Sequence, residues 1–406
     1  MIALLCFILG IWLWDSYFGE NGGYAPGTEE ITLIRLDRNL QLAEAMADDP
    51  PLLRWLAHAQ SPEEAVADGI HSLELLISGQ VLGPTGFHAY VALLATRDEA
   101  PIEGYLSQLN IPSNNPEAPN WWNIKMASEN FTFPQTVTTE TIRNRAIFTG
   151  SIIWGLGIIG LAFVPKALRC LRYAFRNKTR GYASGWNPSL GLIVFLLATL
   201  AWIGFSMVLD LGISQLPGLH PVALILLDTF ARILPTLIAL GLLFRKVSHV
   251  PRATGLNGHV HPPVIIGLFS LLVVIDQFLR WALGRFTLED PTGGLSYMDS
   301  GIFGLVFLIV SACLVAPIAE EILYRGILFR SLANKTGVLA AAVLSSVVFA
   351  SLHFYDFYGF ASVATFGFVC ALLYQATGSL SNVVLLHMLY NTSITLPQWT
   401  IYHAPL

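Results

Sequence analysis

Charge is what this sequence has least of. Charged residues make up 12% of its 406 residues and hydrophobic ones 54%, whereas soluble domains carry roughly 25% charged residues. That scarcity excludes an ordinary soluble chain and makes a membrane protein the natural reading. A net charge of −5, with no basic stripe and no interleaved aromatics, removes nucleic acid as a partner. Cysteine is sparse too: Cys6, Cys170, Cys313 and Cys370 all lie in or beside apolar segments. Neither a disulfide framework nor a cysteine metal site is readable from them.

The charge that exists is unevenly placed. Asp15 to Arg145 holds 18 of the 27 acidic residues and only 7 of the 22 basic ones, so an aqueous region precedes a lipid one. A bilayer core of about 30 Å needs roughly 20 apolar residues per helical span. Such stretches run Ala146 to Pro165, Leu190 to Gly212, Val222 to Phe244, Val264 to Leu283, Gly301 to Ala319, Val338 to Phe354, Gly359 to Ala376 and Leu380 to Leu396. The expected fold is therefore an all-α polytopic membrane protein of about eight or nine transmembrane helices. The ninth is Met1 to Trp14, apolar but short and without a basic n-region; it makes a poor signal peptide and reads as an N-terminal anchor or a start-site artefact. Residues 15–145 are expected to form a mostly helical domain ending in a linker. Residues 146–300 form accessory helices, and residues 301–396 form a core of tightly connected helices.

Lys and Arg in short loops stay on the cytoplasmic side. Lys166, Arg169, Arg172, Arg176, Lys178 and Arg180 follow the span ending at Pro165, and Arg245, Lys246 and Arg252 follow the one ending at Phe244. Both loops are thus read as cytoplasmic, the first of them against anionic headgroups. The 15–145 region is then extracytoplasmic, and the expected location is the bacterial cytoplasmic membrane. Within that region Thr28-Glu29-Glu30 and Ser61-Pro62-Glu63-Glu64 look like helix starts. Ile111 to Pro134, rich in proline and asparagine, reads as a linker.

The segment Pro317 to Arg325 sets two adjacent carboxylates, Glu320 and Glu321, at the end of an apolar run. Ionisable groups at membrane depth are costly and mark function by default. Arg325 lies four residues after Glu321, suited to an intrahelical ion pair, which leaves Glu320 about 100° round the helix and free to act elsewhere. Glu320 and His353 lie 16 and 17 residues either side of Thr336, so a hairpin there brings them to one depth. His387 and Asn391, four apart, share a helical face. A Glu with a His can activate water, and a His with an Asn can stabilise an oxyanion. His353, His387 and Glu320 also suit a divalent metal such as zinc that lowers the pKa of bound water; spacing does not separate the two mechanisms.

Glu-Glu-x-x-x-Arg at Glu320 to Arg325, Phe-x-x-x-His at Phe349 to His353 and His-x-x-x-Asn at His387 to Asn391 occur in order on successive apolar segments. Together they resemble the CAAX prenyl protease and bacteriocin-processing (CPBP, or Abi) family of intramembrane endopeptidases. The likeness covers Gly301 to Leu396. It implies a peptide hydrolase in which Glu320 activates water with His353, His387 and Asn391 stabilise the oxyanion, and Glu321 and Arg325 support the site. The implied partner is a membrane-associated peptide or protein, lipidated ones included. The family's two descriptions, metal-dependent and glutamate-dependent, carry the cofactor question over. A non-catalytic scaffold or immunity-type protein keeping the same polar motif is the competing function. A proton-coupled transporter would call for an internal repeat, and none is evident.

Other polar residues read as structural. Asp228 with Arg232 and Asp276 with Arg280 have ion-pair spacing, and His249, His259 and His261 lie on one loop with a solvated character. Oligomeric state is not readable.

Overall fold

The computed structural model describes residues 2–18, 28–101, 105, 138–176, 187–214, 221–244, 249–283, 306–307, 309–353, 355 and 357–402. All regular structure among them is helical. Contacts divide the chain into two compact units. One gathers Met1–Trp14, Gly155–Phe286 and Tyr297–Leu396; the other gathers Asp15–Trp154, Thr287–Ser296 and Pro397–Leu406.

The second unit is built on α2 (Thr28–Ala45), α3 (Pro51–Leu56), α4 (Pro62–Ser78), α5 (Pro84–Arg97) and the start of α6 (Thr139–Leu161). The helix starts expected at Thr28 and Ser61 are where α2 and α4 begin. At Ser61 the hydroxyl accepts from the Glu64 amide at 3.2 Å and the Glu64 carboxylate accepts from the Ser61 amide at 2.9 Å, a reciprocal box. Leu36, Leu40, Leu73, Leu76, Val91 and Leu93 interlock as its core. A smaller cluster joins Leu42, Met46 and Ala57 to Ile142 and Ala146 of α6. The linker expected over 111–134 lies outside the described residues.

The first unit contains α1 (Ile2–Phe18), α7 (Val164–Ala174), α8 (Pro188–Ser214), α9 (Pro221–Leu243), α10 (Val250–Thr254) and α11 (Pro262–Leu283). These are followed by α12, a helix running from Ser311 to Thr336 with π-helical turns at Ser311–Val315 and Glu321–Phe329. Then come α13 (Val338–Ser351), α14 (Phe357–Thr377) and α15 (Leu380–Tyr402). Leu9 of α1 is part of this unit's core.

Among the described residues, five helices are long and apolar enough to cross a bilayer: α6, α8, α9, α11 and α14. That is fewer than the eight or nine expected. α13 has 14 residues, too few for a span of about 20, and the segment before Ser311 is described only in part. α14 is buried over more of its length than the other four, so it is the central helix. Exposed Ile158, Ile159, Met207, Val208, Phe278 and Trp281 suit a lipid-facing surface, since acyl chains impose no cost on exposed apolar groups.

The basic stretch after Pro165 differs from the expected loop. Its first part forms α7, whose Ala167 and Ala174 are buried while Lys166, Arg169 and Arg172 are exposed; Arg176, just past the helix, is exposed too, and Lys178 and Arg180 lie outside the described residues. The spacing of three to four between its basic residues is a helical one that a reading for loop charge passes over. His249, His259 and His261 are exposed as expected, on a segment clamped by polar bonds. The Gly255 carbonyl accepts from the Leu380 amide at 3.0 Å, and the Thr254 carbonyl accepts from Tyr374 at 2.7 Å. Asn382 bonds the His259 carbonyl at 2.8 Å and the His261 amide at 2.7 Å.

Candidate active site

The site is assembled on α12, α13 and α15. Glu321 and Arg325 are wholly buried, and one Arg325 nitrogen meets Glu321 Oε1 at 3.0 Å, the ion pair expected from their spacing. The same oxygen accepts from His387 Nδ1 at 2.7 Å. A carboxylate only accepts, so Nδ1 carries the proton and the Nε2 edge of His387 turns to Glu320, 3.8 Å from its Oε2. Glu320 is 18% exposed where its neighbour Glu321 is 0%. Adjacent carboxylates thus have different surroundings, one fixed in a dry ion pair and one at an accessible edge.

His353 closes α13. Its Nδ1 donates to the Phe349 carbonyl at 2.7 Å; a carbonyl cannot donate, so Nε2 is left with its lone pair in the neutral ring. Glu320 and His353 lie within electrostatic reach of each other, in keeping with the hairpin arithmetic. Asn391 donates from its amide to the Ala312 carbonyl at 2.9 Å, in the first π-helical turn of α12. π-Helical turns shift the phase of a helix and recur at functional sites; here one such turn bonds Asn391 and the other carries Glu321 and Arg325.

Aromatic rings form the floor. The Arg325 guanidinium lies 4.4 Å from the Phe349 centroid, Phe349 packs edge-on to His353 at 4.6 Å and His387 at 6.1 Å, and Phe366 of α14 meets His387 at 4.8 Å. Gly367 makes room for this arrangement: a Cβ there would lie 3.2 Å from Arg325 Nη2 and 3.3 Å from Phe349.

Sequence reasoning missed the contribution of α9. Thr236 donates to the Ala319 carbonyl at 2.8 Å and Thr229 to Ser311 at 2.8 Å. These bonds lay one face of α9 along the carboxylate-bearing helix. Arg232, on that face, pairs through Nε with Asp228 at 2.7 Å as its spacing predicts, and its charge also acts on Glu320 and His353. Threonines at i and i+7 bracketing an arginine on a membrane helix were the available signal. Asp276, whose spacing suits a pair with Arg280, accepts from Tyr358 at 3.0 Å, Ser362 at 2.6 Å and Tyr390 at 3.4 Å. The Arg280 guanidinium lies 5.4 Å from the Tyr358 centroid. Tyr390 stacks on Phe366 at 4.9 Å, which links this polar cluster to the site floor.

Among the described residues no three His, Cys, Asp or Glu side chains group tightly enough to hold a metal ion. As placed, Glu320, His353 and His387 do not gather into a three-ligand donor set.

Residues 302–393 match the family of Type II CAAX prenyl endopeptidase Rce1-like proteins, so the chain carries an Rce1-like domain over that segment. All seven motif residues, Glu320, Glu321, Arg325, Phe349, His353, His387 and Asn391, fall within it, while Arg232, Thr236 and Asp276 fall outside. YdiL of Bacillus subtilis (strain 168), whose name assigns it provisionally to the membrane peptidases, is 33% identical over 91 residues. The match covers 22% of this chain and 37% of that protein, so the chain spans little more than a third of its relative. No solved structure matches. Both matches support a membrane protease.

Proposed function

We propose that this protein is an intramembrane endopeptidase that hydrolyses a peptide bond in a membrane-associated peptide or protein, lipidated ones included. The observation that carries the reading is the unequal treatment of the adjacent carboxylates. Glu321 is buried and held through Oε1 by Arg325 and His387, while Glu320 stays accessible beside two imidazoles.

Glu320 removes a proton from water, and the resulting hydroxide attacks the scissile carbonyl carbon. His353, anchored through Nδ1, orients that water through Nε2. The oxyanion is met by Asn391, whose amide has a second hydrogen beyond the one given to Ala312, and by His387 Nε2 when it carries a proton. The proton held by Glu320 then passes to the leaving amine as the C–N bond breaks, which returns the carboxylate. Glu321 and Arg325 hold His387 in its tautomer.

The basic, exposed face of α7 supports a cytoplasmic side for that helix and an extracytoplasmic side for residues 15–145, in a bacterial cytoplasmic membrane. The test is proteolysis by purified protein in nanodiscs against a library of apolar and lipidated peptides. Glu320→Gln and His353→Ala are each expected to lower turnover by about 10²–10⁴-fold, the range for a lost general base, while leaving the thermal transition near that of wild type. Equal turnover in all three proteins sinks the proposal and favours a scaffold that keeps the polar network for packing.

A further inference from the structure

α3 is a six-residue helix that leaves its largest apolar side chains uncovered: Leu52 is 72% exposed and Trp55 50%. Three residues apart, they project to one side. Arg54 falls on the other, where it donates to the Ala47 carbonyl at 3.3 Å. In water such an arrangement is a liability.

The packing of α3 against α6 tells what surrounds it. A Cβ on Gly150 would sit 2.1 Å from the Leu56 carbonyl oxygen, so only glycine permits this approach of the two backbones. Four residues further along α6, Trp154 stacks on Trp55 with centroids 4.1 Å apart. Ala57, just beyond α3, packs with Ile142 and Ala146. The height of α3 is thereby fixed to residues 150–154 of α6.

Arg145 is the last charged residue of α6. At 1.5 Å per residue, Gly150 and Trp154 lie about 8 and 14 Å past it along the axis. The polar headgroup zone of one leaflet is only about 5–8 Å deep, half the difference between a bilayer's full and hydrocarbon thickness. At the height of α3, then, α6 is among acyl chains, and its exposed large side chains there, Phe148 and Ile152, are apolar, at 62% and 47%.

We infer that α3 is an interfacial membrane anchor whose Leu52 and Trp55 insert among the acyl chains of one leaflet. Arg54, on the opposite side of α3, keeps that edge at the polar boundary. The residues before α6 are then partly embedded in the membrane. This inference rests on α6 crossing the bilayer and is independent of the protease reading.

The test is spin-label depth measurement on full-length protein in phosphatidylcholine–phosphatidylglycerol vesicles. Single cysteines are placed by Leu52→Cys, Ile152→Cys and Glu63→Cys in a background lacking Cys6 and Cys170, the two cysteines that are not buried. Position 52 is expected to follow 152, with a ratio of oxygen to nickel-chelate collisions roughly tenfold above that at 63, as a site among acyl chains requires. A ratio at 52 equal to that at 63 places α3 in water and overturns the inference. Shielding from both probes puts a protein surface over α3 and overturns it as well. A second readout needs no label: quenching of tryptophan emission by brominated lipid should fall in Trp55→Phe relative to wild type, and unchanged quenching counts against insertion.

Discussion

The carboxylates of the two units are partnered in different ways. In the first unit Glu321 is completely buried and divides one oxygen between Arg325 and His387, while Asp276 collects hydroxyls from α14 and α15. In the second unit the pairs reach water through at least one partner: Asp98 with Arg97 at 2.7 Å, the two 36% and 51% exposed, and Asp49 with Arg143 at 2.5 Å, the acid 8% and the arginine 37% exposed. Solvent explains the contrast. A charge surrounded by lipid and protein has only other side chains to solvate it, so it must find its partners inside. A charge near water needs one partner or none, and its pair contributes little to stability.

The largest expected effect is at Arg325. Removing one partner of a buried pair leaves the other uncompensated, so Arg325→Ala should destabilise the first unit by about 3–5 kcal/mol, whereas truncating an exposed pair such as Arg97–Asp98 should leave stability little changed. Thermal unfolding in one detergent measures both. The comparison sharpens with the double variant Glu321→Gln, Arg325→Met, which removes both charges and should recover much of the loss. Among the described residues Glu321 Oε2 and Arg325 Nη2 both lack a hydrogen-bond partner, so the native pair leaves polar atoms unsatisfied that the double variant would not. Equal losses at Arg325 and Arg97 would break the contrast between the units.

Asp37 of α2 tests the same contrast from inside the second unit, because it is a half-buried acid whose one described side-chain partner is neutral. Gln41 donates to Oδ2 at 3.0 Å, while Oδ1 is buried without a partner. Burial pushes its carboxyl up from 3.8 to about 6. Since the folded value is the higher, the native state holds the proton more tightly than the unfolded chain. The contribution to stability is fully present below pH ~4 and is lost as pH rises through ~6. At 1.36 kcal/mol per unit this amounts to at most about 3 kcal/mol. Asp37→Asn should therefore flatten the pH dependence of unfolding between ~4 and ~6 and leave the variant the more stable protein near pH 7. Asp98 runs the other way: Arg97 and then Tyr105 hold it down to about 2, so its contribution survives to lower pH and is lost as pH falls through that value. Wild-type and Asp37→Asn proteins with parallel pH profiles would show that Asp37 is solvated like the surface acids.

Legibility in the sequence follows the same division between local and distant partners. The Glu321–Arg325 pair, the Glu320–His353 hairpin and the Ser61 cap are set by spacings of a few residues or by one turn, and all were readable. The bonds of Thr236 to Ala319, of Asp276 to Tyr358 and of His387 to Glu321 join residues 83, 82 and 66 apart; no periodicity encodes which helix faces which. Hydropathy measures apolar length and not where a helix stops: Val338 to Phe354 reads as a span, yet α13 ends at Ser351. The π-helical turns were invisible for a related reason, since they change the phase of α12 without changing its composition.

The smallest effect tests the water-facing side of the comparison, where stability comes from local backbone satisfaction and not from charge. The first amides of α4 have no intrahelical acceptor, and the Ser61 hydroxyl serves the one at Glu64. Ser61→Ala removes that acceptor and half of the box, which should cost about 1 kcal/mol, while Ser61→Gly should cost only a few tenths because water reaches the freed amides. Hydrogen exchange at the α4 amides reads this locally: protection should fall by roughly fivefold in Ser61→Ala, the equivalent of about 1 kcal/mol at room temperature, with the α12 amides unchanged. An equal loss in α12 would mean that the two units unfold as one, and the difference in how they hold their polar groups would then have no separate thermodynamic expression.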